Sequence, residues 1–241
     1  MIEYLTYFCK KIHIYRNNPI NRKNSSAYPM EFHERMNEYA EQPITKQTLL
    51  DLLKDYKRPY DKIHELIKQG TLVSVKRGIY TTGSRIKIAK PEPFLLANYI
   101  LGPSYVSLES ALSHWGFIPE KVHEVSSATT QNTKTYYTAV GRFSYIHLPL
   151  PYYSFGIQQL ELTKKQRVLI ATPEKALCDK IVTSSGILLR SSKQVMELLI
   201  DDLRIEKDRL RNLNTKRMSG WIKDAPKKSS LEILIKTLEQ L

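Results

Sequence analysis

The sequence predicts an α+β protein, with an N-terminal winged helix-turn-helix followed by an α+β part with a mainly antiparallel sheet and C-terminal helices. Three observations carry this expectation. Residues 30–88 read helix, helix, helix, hairpin, the order of a winged helix-turn-helix. Residues 122–171 hold short β-prone runs joined by polar or proline-containing loops. Helical periodicity frames those runs on both sides, which is the pattern of an α+β arrangement. The expected division is a 1–29 arm or extension, a 30–88 DNA-binding domain and an 89–241 α+β domain.

Taken in order, residues 17–28 have a linker's composition, rich in Asn and Ser, and Met30 is a plausible alternative start. The intact mass of the natively expressed protein decides that point. Phe32, Met36, Tyr39 and Ala40 recur at helical spacing until Pro43. Thr45 can cap a second helix, whose Leu49, Leu50, Leu52 and Leu53 supply a buried stripe. Pro59 suits the first turn of a third helix that packs through Ile63, Leu66 and Ile67 and stops at Gly70. Two β-prone runs, 72–75 and 79–81, then flank the basic turn Lys76-Arg77-Gly78.

Beyond Gly83 a helix is expected over 94–101, stopped by Gly102-Pro103, and Ser107 is expected to cap a short helix carrying Leu108, Ala111, Leu112 and Trp115. Strands are expected at 122–128, 142–148 and 168–171. Thr172, Pro173 and Glu174 then align three helix-start signals: a capping hydroxyl, a proline at the first position and an acid near the positive end of the dipole. Later helices are expected over 192–203, 206–213 and 229–241.

Charge supplies the first functional indication. The 241 residues carry 37 Lys and Arg against 24 Asp and Glu, a net +13, with 17 basic and 9 acidic residues up to Lys90. The excess is therefore denser in the first third, and a basic balance of this size attracts polyanions, above all nucleic acid. The expected partner is double-stranded operator DNA. Arg58, Tyr60 and Lys62 would lead the third helix into a major groove, with Lys68 on its outer side. Thr45, Lys46 and Lys57 would border the turn, and Lys76 and Arg77 would reach phosphates from the hairpin. A winged-helix module used for protein or RNA contacts, without operator binding, is the alternative.

Other classes are excluded or weakened. With 41% apolar residues and only 9 Gly, the chain is neither disordered throughout nor collagen-like. Two cysteines, Cys9 and Cys178, argue for a reduced, cytoplasmic setting, and no apolar run is long enough for a membrane span. No phosphate-cradling glycine loop is present, and the adjacent acids Asp201-Asp202 would point about 100° apart on a helix, unsuited to a two-metal site. A metal nuclease built on Asp55-Tyr56-Lys57, or on Glu161 with Lys164, lacks a complete acidic set. The six histidines, His13, His33, His64, His114, His123 and His147, stand singly, without metal-ligand spacing. No catalytic residue, metal or cofactor is therefore assigned. Cys178 reads as a small core residue. Tyr136, Tyr137, Tyr145, Tyr152 and Tyr153, lying near Lys134 and Arg142, leave RNA contact by the C-terminal domain as a minor expectation beside ordinary sheet packing.

One set of motifs points further. Tyr105-Val106-Ser107-Leu108-Glu109-Ser110-Ala111-Leu112, Trp115-Gly116-Phe117-Ile118-Pro119-Glu120, Glu124-Val125 before a Ser/Thr run, Gly141-Arg142-Phe143-Ser144-Tyr145 and Ala171-Thr172-Pro173-Glu174-Lys175-Ala176-Leu177 follow one another in order. Together with the wing Lys76-Arg77-Gly78-Ile79-Tyr80, this set resembles the signature of the AbiEi family, antitoxins of type IV toxin–antitoxin systems, across roughly residues 35–185. Trp115 departs from it, standing where the family's pattern often has His. The resemblance implies a transcriptional autorepressor whose C-terminal domain counters a nucleotidyltransferase toxin in phage abortive infection, without a stable complex being required. It implies no enzyme activity for this chain.

Overall fold

Local start and stop signals set the first elements of the computed structural model, which describes residues 32–120 and 122–241. The expected arm over 1–29 and the alternative start at Met30 lie outside the described residues. Helix α1 (Phe32–Asn37) leads to the two-residue strand β1 (Ile44–Thr45) and helix α2 (Lys46–Leu52). The Thr45 hydroxyl accepts from the Thr48 amide at 3.1 Å, satisfying one of the unpaired donors at the start of α2. Helix α3 (Pro59–Lys68) opens on its proline and buries Ile63 and Leu66. Strands β2 (Leu72–Lys76) and β3 (Ile79–Thr82) form the hairpin, and β1 pairs antiparallel with β3, giving the order β1-β3-β2. Gly78 takes φ +87° in the hairpin turn, a conformation that a side chain would strain. Met36, Ile44, Leu49 and Leu53 are fully buried in the cluster that holds this head together.

The larger body follows. Helix α4 (Pro93–Ile100), strand β4 (Ser104–Val106) and helix α5 (Leu108–His114) precede strands β5 (Glu124–Thr129), β6 (Lys134–Thr138), β7 (Gly141–His147), β8 (Ile157–Thr163) and β9 (Gln166–Ala171). Helix α6 (Pro173–Thr183) comes next, then α7 (Ser192–Met196), which runs into a π-helical turn at Glu197–Asp202. Helices α8 (Lys207–Arg211), α9 (Thr215–Ser219) and α10 (Lys228–Leu238) complete the chain. The six strands order as β6-β7-β5-β4-β9-β8.

The protein is thus α+β, but the larger sheet is more mixed than expected. Three neighbouring pairs are antiparallel, while β5–β7 and β4–β9 are parallel. The reason is topological: β6 takes the edge and hairpins onto β7, so β7 returns beside β5 in the same direction. Tyr145, on the sheet face of Val125 and Ser127, donates to the Ala97 carbonyl of α4 at 2.7 Å. Tyr105, on the opposite face, donates to Asp179 of α6 at 2.9 Å, so helices cover both faces of the central strands. This double cover explains why β4 is buried at every position and lacks the alternation that would mark it in sequence.

The centre of the body is charged. Lys175 and Asp179, one turn apart on α6, are fully buried, with Nζ 2.8 Å from Oδ1. Lys175 also donates to the Tyr152 carbonyl at 3.0 Å, and its ammonium lies 3.3 Å from the centroid of the Tyr152 ring. The other Asp179 oxygen accepts from Ser107 Oγ at 2.7 Å and from the Tyr105 hydroxyl. Ser107 holds the capping position of α5 but not the capping bond, because its hydroxyl is directed to Asp179. Glu174 likewise has a role beyond the α6 dipole: its carboxylate accepts from the Asn214 amide at 3.1 Å, fixing the start of α9. Gly156 (φ +62°) passes so close that a Cβ there would stand 2.6 Å from Lys175 Cβ and 2.8 Å from the Trp221 ring.

Two predictions follow from this centre. Asp179→Ala strands a buried ammonium and should cost about 3–5 kcal/mol, whereas Lys175→Met with Asp179→Leu should cost far less. Urea unfolding followed by circular dichroism compares the two; equal losses contradict the electrostatic account. Burial raises the phenol pKa of Tyr105, Tyr145, Tyr152 and Tyr153 above the ordinary 10.0. The stability they contribute is complete below pH 10 and lost as pH rises above it, because only the unfolded chain ionises there. Lys175 and Lys227, both lowered by burial, oppose this with two groups against four. The urea midpoint should therefore fall between pH 9 and pH 11.

Candidate nucleic-acid interface

A short helix, a turn and a second helix present the expected binding residues, and their charges are not equally available. Thr45 is committed to its cap, with its hydroxyl 2.9 Å from that of Thr48. Lys46, at the start of α2, is exposed, and its ammonium stacks 4.7 Å from the centroid of the Tyr60 ring. Its amide donates to the Gly78 carbonyl at 2.9 Å, which brings the start of α2 against the hairpin turn. Tyr60 is 52% exposed on α3, an orientation suited to a flat polar or aromatic partner. Lys57 is exposed in the turn before α3, and Lys68 is exposed in its last helical turn.

Arg58 and Lys62 are less free than their sequence positions suggest. Arg58 stands 3.7 Å from Asp61, and Lys62 is 3.0 Å from Glu65 while lying over the Tyr56 ring at 5.5 Å. Hydrogen bonding from Lys62 holds the Glu65 carboxyl below the usual carboxylate range. Each of these cations is therefore partly neutralised by an acid one turn along its own helix. Among the described residues, Lys46, Lys57, Lys68 and Arg77 form no ion pair. The available positive charge is accordingly centred on the α2 start, the turn and the hairpin tip, rather than on the first turn of α3.

The two hairpin cations separate in role. Arg77 is exposed at the tip. Lys76 turns back onto the body, donating to the Ile100 carbonyl at 2.8 Å and lying 5.0 Å from the centroid of the Tyr136 ring. Ile100 is the last residue of α4, so the ammonium satisfies a terminal carbonyl at the negative end of that helix. Sequence alone marked Lys76 as a phosphate contact because it sits beside Arg77; the long-range partner was invisible to it. A second tie was also missed. The Glu41 carboxylate accepts from Thr163 Oγ1 at 2.5 Å and from Gln166 Nε2 at 3.3 Å, while Gln42 Nε2 donates to the Lys165 carbonyl at 3.2 Å. Both residues stand at the end of an unremarkable polar run.

The remaining expectations also find places. Tyr145, Tyr152 and Tyr153 are buried and Tyr136 is half-buried, leaving Tyr137, 78% exposed, as the most accessible ring of that group. Cys178 is buried, and burial pushes its thiol pKa up, away from nucleophilic use. On the far side of the large sheet a groove of about 680 Å³ is lined by Glu109, Glu120, Glu124 and Ser126. Its three glutamates are engaged, Glu124 with Arg142 at 2.7 Å, Glu120 with Arg204 at 3.3 Å and Glu109 with Lys180, while Asp202, which also lines it, is in none of these ion pairs. Among the described residues, no group of three His, Cys, Asp or Glu side chains could hold a metal ion, and no helix is long and apolar enough to cross a membrane.

The contrast between the two hairpin cations is measurable. Lys76→Met should lower stability by about 1–2 kcal/mol, since it leaves a helix-end carbonyl unsatisfied. Arg77→Ala should stay within about 0.5 kcal/mol of the unmodified protein. Thermal unfolding of both variants checks this, and the reverse order contradicts the assigned roles. In comparisons with known proteins, neither a protein-family model nor a curated protein matches this chain.

Proposed function

We propose that the protein is a DNA-binding transcriptional regulator, with α2, α3 and the β2–β3 hairpin working as a winged helix-turn-helix on double-stranded operator DNA. The observation that carries this reading is the pair of un-neutralised cations, Lys46 and Arg77, brought together where the start of α2 meets the hairpin turn beside the exposed Tyr60, with Lys57 exposed in the turn before α3. Such cations exchange condensed counterions for phosphates and position a duplex, while Tyr60 and His64, both exposed on α3, are available to base edges. The antitoxin part of the proposal, repression of its own operon and opposition to a nucleotidyltransferase toxin, rests on the ordered AbiEi-like motifs. It assigns the body to binding rather than catalysis and agrees with the engagement of the groove's three glutamates in ion pairs.

One observation favours a second reading, a protein-binding winged helix. Asp61 and Glu65 share the outward side of α3 with its cations, and carboxylates facing a major groove are useful only opposite base amino groups.

Binding of the purified protein to duplex DNA from its own upstream region, measured against salt, separates the two. With four to six phosphates contacted, log K should fall with a slope of about −4 to −5 in log[salt]. Lys46→Ala and Arg77→Ala should each weaken binding to all duplexes and make that slope shallower by about 1. Equal affinity for upstream and random duplex, with a flat salt response, removes the regulator reading. A nucleotidyltransferase gene beside this one is the observation expected from the antitoxin assignment.

A further inference from the structure

The hairpin does not end in open solvent on its body side. Lys76 lies 5.0 Å from the centroid of Tyr136, and Lys134 lies 5.1 Å from the centroid of the same ring. Lys134 opens β6, the edge strand of the six-stranded sheet, and is exposed. We propose that the DNA-contacting surface continues past the hairpin tip onto this edge strand, with Lys134 taking a phosphate of the same duplex that Lys46 and Arg77 contact. This rests on the winged-helix reading above and extends it to a residue of the body.

Geometry and charge carry the proposal together. The surface is continuous by direct contacts: Tyr60 to Lys46, the Lys46 amide to Gly78, the turn through Arg77 to Lys76, then Tyr136 to Lys134. Two ammonium groups on one ring lie within about one Debye length of each other at 0.1 M salt, ~10 Å, so each raises the other's potential. The ring face stabilises both, yet neither Lys134 nor Arg77 has a carboxylate partner among the described residues. The nearest acid along these strands, Glu124, is paired with Arg142 on the opposite face of the sheet, as the alternation of β7 requires. Three cations without carboxylate partners, Lys46 and Lys134 held by aromatic rings and Arg77 exposed between them in this chain of contacts, are complementary to a phosphate backbone. Arg142 and Tyr137, a stacked pair at 5.3 Å, face the other way and take no part.

The experiment uses the full chain and a fluorescent duplex from the region upstream of its own gene. Lys134→Ala should weaken binding about 5–10-fold at 0.1 M salt and make the salt slope shallower by about 0.9, as expected for one phosphate. Lys134→Arg should restore both, and neither variant should alter thermal unfolding, since the side chain is exposed. If Lys46→Ala and Arg77→Ala weaken binding while Lys134→Ala leaves affinity and slope unchanged, the extension is wrong and the winged-helix reading stands. If all three leave binding unchanged, the winged-helix reading itself fails. If Lys134→Ala weakens binding to single-stranded RNA of the same sequence but not to the duplex, the edge strand serves a different polymer and the proposal is overturned.

Discussion

A lysine and an aspartate fully buried beside each other constrain the body of this protein more than any apolar contact does. Each would be strongly unfavourable there alone, and the pair is tolerable because their mutual attraction and added hydrogen bonds offset the loss of hydration. Those bonds recruit the Tyr152 carbonyl from one loop, the Tyr105 hydroxyl from β4 and the Ser107 hydroxyl from the start of α5. The pair therefore ties together segments more than 70 residues apart in sequence. It also dictates a small feature nearby, the loss of a capping bond at α5, where Ser107 turns to Asp179 instead. A hydrophobic centre of equal volume could be more stable, but would lack these directional bonds between β4, α5 and α6.

Much of the fold was legible because local chemistry and global packing agree. Thr45 and Thr172 cap the helices they were expected to cap, each accepting from an amide three residues on. The strands around 124–129, 141–147 and 166–171 lie where β-branched and aromatic residues gather. Other parts carried no readable signal. The edge strand β8 places Gln158 and Gln159 side by side, which breaks the two-residue alternation that would mark a half-buried strand. The short α9 was hidden because its start is fixed partly by Glu174, forty positions earlier.

The candidate site divides along the same line. That Lys46, Lys57 and Arg77 would be exposed followed from helix period and turn chemistry, both local. That Arg58 and Lys62 would be partly neutralised could have been read from Asp61 and Glu65 three residues further on, since i,i+3 positions are neighbours on a helix. That Lys76 would turn away could not, because its partners Ile100 and Tyr136 lie on separate elements.

Anchoring at Lys76 has an energetic consequence for any partner of the hairpin. In a free-standing hairpin, part of the association energy is lost to ordering the tip. Here the turn is already held by an ammonium on the end of α4, so little of that entropy remains to be lost. The same restraint prevents the tip from adjusting to its target. A duplex that meets both α3 and Arg77 would have to conform to a fixed spacing, and sequences that bend easily would be favoured over stiff ones at positions the protein never touches.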